Sequence, residues 1–232
     1  MFCHHCCTSV GSAVSYCPNC GQSLLMASAS AGGPNPSATW SSLDHGRAAG
    51  TRWLGEAWSV VTQDLGSYML LSLIFFALGS VPFLQGALIA GFHIYTMKKV
   101  MGRRAEIGDF FKGFQFFVPT LIASLLIALF TFLGTIAFII PGLVIAAMYK
   151  FTYLFIIDKR MDFWPAMQAS HAVVRNDYFG FTMFLILAFL VNLLGLLCLV
   201  VGLFVTIPLT FAAITIAYRE LVGFEQRTLD AL

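Results

Sequence analysis

Charge is what this chain lacks. Only 10% of its 232 residues are Asp, Glu, Lys or Arg, while 59% are hydrophobic. A soluble domain carries about 25% charged residues. No Asp or Glu interrupts any of the long apolar blocks. That argues against a proton-coupled carrier, which uses a carboxylate relay inside the bilayer. No HExxH, no Ser–His dyad within an apolar block and no GxxxxGK[ST] loop occurs. Intramembrane proteolysis and ATP hydrolysis are therefore not expected, and the chain reads as no enzyme. Nothing in the sequence suggests a nucleic-acid partner. No basic n-region followed by an apolar h-region opens the chain, so no signal peptide is expected and the first apolar block would direct insertion.

What is present is apolar length. A run of about 20 apolar residues crosses a bilayer. The blocks predict an all-α polytopic bundle of about six spans, near 65–84, 85–101, 117–140, 142–158, 179–201 and 203–221. The charges confined between them set the orientation. Lys98, Lys99, Arg103, Arg104 and Lys112 follow the second block; Lys159, Arg160 and Arg175 follow the fourth. Arg47 and Arg52 precede the first, and Arg219 and Arg227 end the sixth. The alternate turns, near 80–86, 139–142 and 200–207, carry no charge. The positive-inside rule then places both termini in the cytosol.

The membrane part, 51–224, reads as three hairpin repeats followed by a tail at 225–232. Leu-Gly recurs at Leu78, Leu133 and Leu194, at spacings of 55 and 61 residues, each time before a Gly/Pro turn and a second apolar helix. Each hairpin has an amphipathic lead-in. Residues 52–64 align Trp53, Leu54, Ala57, Trp58 and Val61 on one helical face. Residues 107–117 set five Phe around one Lys, and 162–177 open with Asp162 as N-cap and Pro165 in the first turn. Helices of this kind lie in the headgroup plane, and Trp40, Trp53, Trp58 and Trp164 suit an interfacial belt. Partner binding or membrane bending is the alternative use. Gly79, Gly134 and Gly195 read as close-packing positions.

Few polar residues break the blocks. Lys150 is the one charge clearly inside a span, so it faces an anion or lipid headgroup in the bundle, or else snorkels or meets helix carbonyls. His93 reads as a neutral, hydrogen-bonded histidine or as a second polar lining residue. Asn192 reads as interhelical glue. The cluster Lys98, Lys99, Arg103 and Arg104 sets topology and is a candidate contact for anionic lipid heads. Cys198 reads as a small packing residue deep in the fifth span.

The first 26 residues differ from all the rest. Cys3-His4-His5-Cys6 and Cys17-Pro18-Asn19-Cys20-Gly21 form two CxxC knuckles with ten residues between them. Four thiolates so spaced fit one tetrahedral structural Zn²⁺ with Cys3, Cys6, Cys17 and Cys20 as ligands. So small a head has no core, and the metal would supply its folding energy. A redox dithiol or a pair of disulfides is the alternative, which a cytosolic location disfavours. Cys7, His4 and His5 are additional potential ligands. Residues 27–50, rich in Ser, Ala, Gly and Pro up to Gly46, read as a flexible linker.

The two knuckles resemble the N-terminal zinc ribbons of many bacterial membrane proteins. That resemblance implies a structural zinc, a module that recruits a cytosolic protein, and a bacterial inner membrane. Segments such as FIIPGLVIAAMY and VRNDYFGF are similar to uncharacterised six-helix membrane proteins related to the membrane domain of glycerophosphodiester phosphodiesterases. The soluble catalytic domain of those enzymes has no counterpart here, so no activity carries over. The sequence thus predicts a non-catalytic membrane scaffold, compatible with a homo-oligomer, whose zinc head recruits a partner. The alternative is a transporter or channel for a lipid or small solute, with Lys150 and His93 lining its path.

Overall fold

The computed structural model describes residues 48–79, 81, 83–198 and 202–225. These lie in one compact unit, Trp40–Leu232. Cys3, Cys6, Cys17 and Cys20, the linker as far as Arg47, and Trp40 lie outside the described residues, as does Arg227.

Among the described residues every regular element is helical. Three consecutive triplets make up the chain. The first is α1 (Gly50–Thr62), α2 (Leu65–Gly79) and α3 (Gln85–Val100). The second is α4 (Ile107–Phe111), running through a 3-10 turn (Lys112–Phe116) into α5 (Phe117–Ala137), then α6 (Ile139–Met148) and α7 (Thr152–Asp158). The third is α8 (Phe163–Val174), α9 (Tyr178–Leu197) and α10 (Leu203–Leu221). Each triplet is a lead-in, an outbound helix and a return helix, which is the order the Leu-Gly spacing predicts.

Four helical segments are long and apolar enough to cross a membrane: Ile107–Ile136, Pro141–Asp158, Tyr178–Leu197 and Leu203–Leu221. A fifth follows if α1 and α2, bent by 100° at their junction, act as one span. The fold is therefore an all-α bundle of a membrane protein, with four or five candidate spans instead of the six read from the blocks. The difference lies in α2, whose 15 residues count only together with α1, and in α3. Its 16 residues reach only about 24 Å, short of a bilayer core of about 30 Å. Ala87, Leu88, Ala90, Phe92, His93, Ile94, Tyr95, Thr96 and Met97 are all buried within it. It is a central helix wrapped by α2, α4, α5, α7 and α10.

Glycine makes that centre tight. A Cβ on Gly91 would stand 1.9 Å from the carbonyl oxygen of Phe110, and one on Gly113 would stand 2.3 Å from that of Ala87. Backbone meets backbone there. The turns at the opposite end use the same device: Gly134 packs on Gly142, and Gly195 on Gly202. Gly79 does not, because nothing lies within 4 Å of its would-be Cβ.

The bundle has one charged end and one charge-free end. At the charged end, ion pairs join the helix ends: Lys98–Asp109 (2.8 Å), Lys112–Asp109 (2.7 Å), Lys99–Asp64 (2.5 Å), Arg219–Glu56 (3.1 Å) and Arg52–Glu220. Tyr218 donates to Asp158 (3.0 Å), and the Trp53 indole donates to Glu220 (2.8 Å). The Lys99 ammonium holds the Asp64 carboxyl below its ordinary pKa, by hydrogen bond more than it is opposed by burial.

The lead-in faces are turned into the protein more than the periodicity suggests. Trp53, Ala57 and Val61 of α1 are buried against α10 and α9, with Trp53 between Phe181 and Phe184. Trp58 and Trp164 remain exposed. Asp162 caps α8 as expected, accepting from Phe163 N at 2.8 Å. Cys198 is an exposed residue closing α9, where the helix already ends, and not a deep packing residue.

A polar cavity at the break between α6 and α7

The helix expected over 142–158 is interrupted, and Lys150 stands in the interruption. Tyr149, Lys150 and Phe151 join α6 to α7 through three-residue bonds, Lys150 N to Ala147 O and Thr152 N to Tyr149 O, both 3.2 Å. The cause is a side chain inserted in the ladder. Ser170 of α8 donates its hydroxyl to Met148 O (2.6 Å) and accepts from Phe151 N (3.2 Å). It takes the carbonyl that Thr152 N would use in an unbroken helix. Ser170 is fully buried. Removing its hydroxyl strands a part-buried carbonyl and a buried amide, which costs about 1–3 kcal/mol. Ser170→Ala is therefore expected to lower the thermal midpoint and increase proteolysis between α6 and α7, whereas an unchanged midpoint would mean that the break forms without Ser170.

Beside the break lies a cavity of about 380 Å³, within the size range of small-ligand sites. Four walls form it. From α3 come Gln85, Ile89 and His93; from α5, Ser124, Ile127, Ala128 and Thr131. The α6–α7 segment contributes Ala146, Tyr149, Lys150 and Tyr153, and α10 contributes Thr210, Phe211 and Ile214. The structure thus brings together Lys150 and His93, residues 57 apart in the sequence.

Exposure along the walls shows which way the cavity opens. On α3, Gln85 is exposed, Ile89 half-buried and His93 buried, at successive turns of one face. On α10, Thr210 and Phe211 are half-buried and Ile214 is buried. The mouth is at the charge-free end. Below His93 the way to the charged end is filled by Phe92 stacked on Phe211 (4.4 Å between ring centroids), by Phe110, and by the buried Lys98–Asp109 pair.

The polar atoms in the cavity are unevenly satisfied. Lys150 makes no hydrogen bond or ion pair among the described residues. Its ammonium neither meets a helix carbonyl nor finds a carboxylate. The Thr131 hydroxyl is buried without a partner. His93 is better held. Thr215 donates its hydroxyl to Phe211 O (2.9 Å), so at 3.0 Å it accepts from His93 Nδ1. That pattern assigns the neutral tautomer, with Nε2 left as the acceptor His93 offers to the cavity. Asn192 stands one layer behind, donating to Thr210 Oγ1 (2.7 Å) and Ala188 O (2.8 Å). It ties α9 to α10, as the reading as glue expects, and fixes a lining threonine.

The basic cluster divides in two. Lys98 is buried on Asp109 and Lys99 is taken by Asp64. Both serve internal pairs, whereas Arg103 and Arg104 are exposed.

Among the described residues no group of three His, Cys, Asp or Glu is placed to hold a metal. Comparison of the chain with protein-family models, curated proteins and solved structures finds no match. The zinc-ribbon and membrane-domain resemblances therefore rest on their quoted motifs alone.

Ser170, Thr131, Tyr149 and Tyr153 were not read as site residues from the sequence. Tyr149 and Tyr153 had a usable signal, flanking Lys150 at helical spacing. Ser170 had none, because its role is a contact across 22 residues with Met148.

Proposed function

We propose that this is a non-catalytic membrane protein that takes an anionic small molecule or lipid headgroup into the bundle, with Lys150 as the counter-charge. This is the transporter-like reading of the two, narrowed to a site. One observation carries it: the only charged side chain of the described residues away from the charged end lines a cavity, has no internal partner and faces hydroxyls and an imidazole acceptor. An uncompensated ammonium at this depth is expensive. An anionic ligand removes that cost.

The scaffold reading belongs to the head. There Cys3, Cys6, Cys17 and Cys20 would hold one zinc and recruit a cytosolic protein, with both termini in the cytosol and six crossings that count α3 within its hairpin. It concerns residues outside the described ones and is compatible with the cavity reading.

Native mass spectrometry of the full chain released in mild detergent tests both parts. One zinc per chain, lost in the Cys17→Ser/Cys20→Ser variant, is expected; zinc retained in that variant would sink the ribbon. A co-purified or added anionic adduct, lost in Lys150→Gln but kept in Cys17→Ser/Cys20→Ser, is the expected signature of the cavity. An adduct indifferent to Lys150 would remove the site.

A further inference from the structure

Ala128 stands where the cavity face of α5 meets its exposed outer face. Ser124, Ile127, Ala128 and Thr131 form the cavity face of α5. Leu125, Leu129 and Phe132 form its outer face, 55%, 50% and 62% exposed. Ala128 belongs to both, because it lines the cavity and is itself exposed. It lies in the middle of a helix long and apolar enough to cross a membrane and little covered by protein. The smallest side chain along this stretch of α5 therefore lies between the polar chamber and the outer face. A water-soluble anion needs only the mouth beside Gln85. A route past Ala128 toward lipid tails would suit a ligand that is polar at one end and hydrocarbon at the other.

Resting on the anion-binding reading, we propose that the ligand is a lipid whose carboxylate or phosphate head sits at Lys150 and whose chain leaves the cavity past Ala128 into the bilayer. Lys150 supplies the charge, Thr131 a free hydroxyl, and His93 an acceptor for a hydroxyl on the head. The apolar residues Ile127 and Ala128 line the path of the first methylenes.

The test uses the full chain in nanodiscs of neutral phosphatidylcholine. A fatty acid and a phosphatidic acid, each carrying a diazirine at mid-chain, are photolysed and the adducts mapped by peptide mass spectrometry. Adducts should concentrate on residues 125–132 of α5. They should fall about tenfold in Lys150→Gln, as for loss of about 1.4 kcal/mol of binding. Ala128→Trp, which blocks the proposed route from an exposed position, should reduce them to a similar degree. Leu125→Trp, one turn away and outside the cavity, should leave them unchanged. Whichever probe shows this pattern identifies the head as carboxylate or phosphate. Adducts spread equally over the outer faces of α5 and α9, or unmoved by Ala128→Trp, would overturn the lipid proposal. If acetate or inorganic phosphate still bound in a Lys150-dependent way, anion binding would stand and only the lateral path would fall. If no anion depended on Lys150, the parent reading would fall with it.

Discussion

Lys150→Met is expected to make the ligand-free protein more stable and useless for binding. The substitution keeps the length of the side chain and removes the one interior charge among the described residues that has no partner. A lysine at the centre of a spanning helix costs about 2.5–3.5 kcal/mol on insertion scales. Lys150 is half-buried and shares its cavity with hydroxyls, so a gain of about 1–2 kcal/mol is the reasonable part of that figure. A methionine also packs well against Ile127 and Phe211, which line the same cavity. The thermal midpoint should rise in neutral-lipid nanodiscs, and anion binding should fall by about tenfold or more, the equivalent of about 1.4 kcal/mol. The opposite signs are the useful part. A purely structural lysine, one that braces the break by contacts with carbonyls, would lower the midpoint when replaced. A midpoint that falls in Lys150→Met would therefore assign Lys150 to folding and not to a ligand.

The largest loss of stability is expected from the smallest change, Gly91→Ala. Its new methyl would have to occupy space 1.9 Å from the Phe110 carbonyl oxygen, and the obstacle is backbone. No rotamer change relieves it. Helix α3 must move away from α4, and the buried Lys98–Asp109 pair that joins the same two elements opens with it. Overpacking usually costs about 1–3 kcal/mol, and a backbone obstacle belongs at or above the top of that range. Little monodisperse protein should survive size exclusion. Gly55→Ala is the counterpart. It sits within α1 with nothing inside 4 Å of the added methyl, and removing a helix-interior glycine is worth about 0.5–1 kcal/mol. The two substitutions should move the thermal midpoint in opposite directions. Equal effects would mean that α3 and α4 do not meet backbone to backbone.

The two substitutions also show where the sequence was legible. The lead-ins, the hairpin order and the segregation of charge followed from patterns local to each segment, and the triplet order of helices agrees with them. The role of α3 did not. GALIAGFHIYTM is as apolar as a lipid-facing span, and composition cannot say whether protein or lipid covers a side chain. Its glycines at 86 and 91 were the better clue, because a helix surrounded by other helices needs close approach. The same blindness applied to Trp53, read as interfacial yet buried between Phe181 and Phe184. Lys98 followed suit: positive charge read as topology became one half of a buried pair. At the site, Lys150 and His93 stood out because polar residues are rare in apolar blocks. The break that presents Lys150 was invisible, since it depends on Ser170 reaching in from another helix.

The glycine-packed turns at the charge-free end bear on how the chain is made. With Gly134 against Gly142 and Gly195 against Gly202, those connections are short, and none of the turn residues there carries a charge. A hairpin of this form can enter the bilayer as a unit during synthesis, tip first, without dragging an ionised group through the hydrocarbon. Lys150 is carried only part of the way, to the level of the break. On the orientation proposed above, each apolar hairpin would be accepted in turn while its positive charges stay behind.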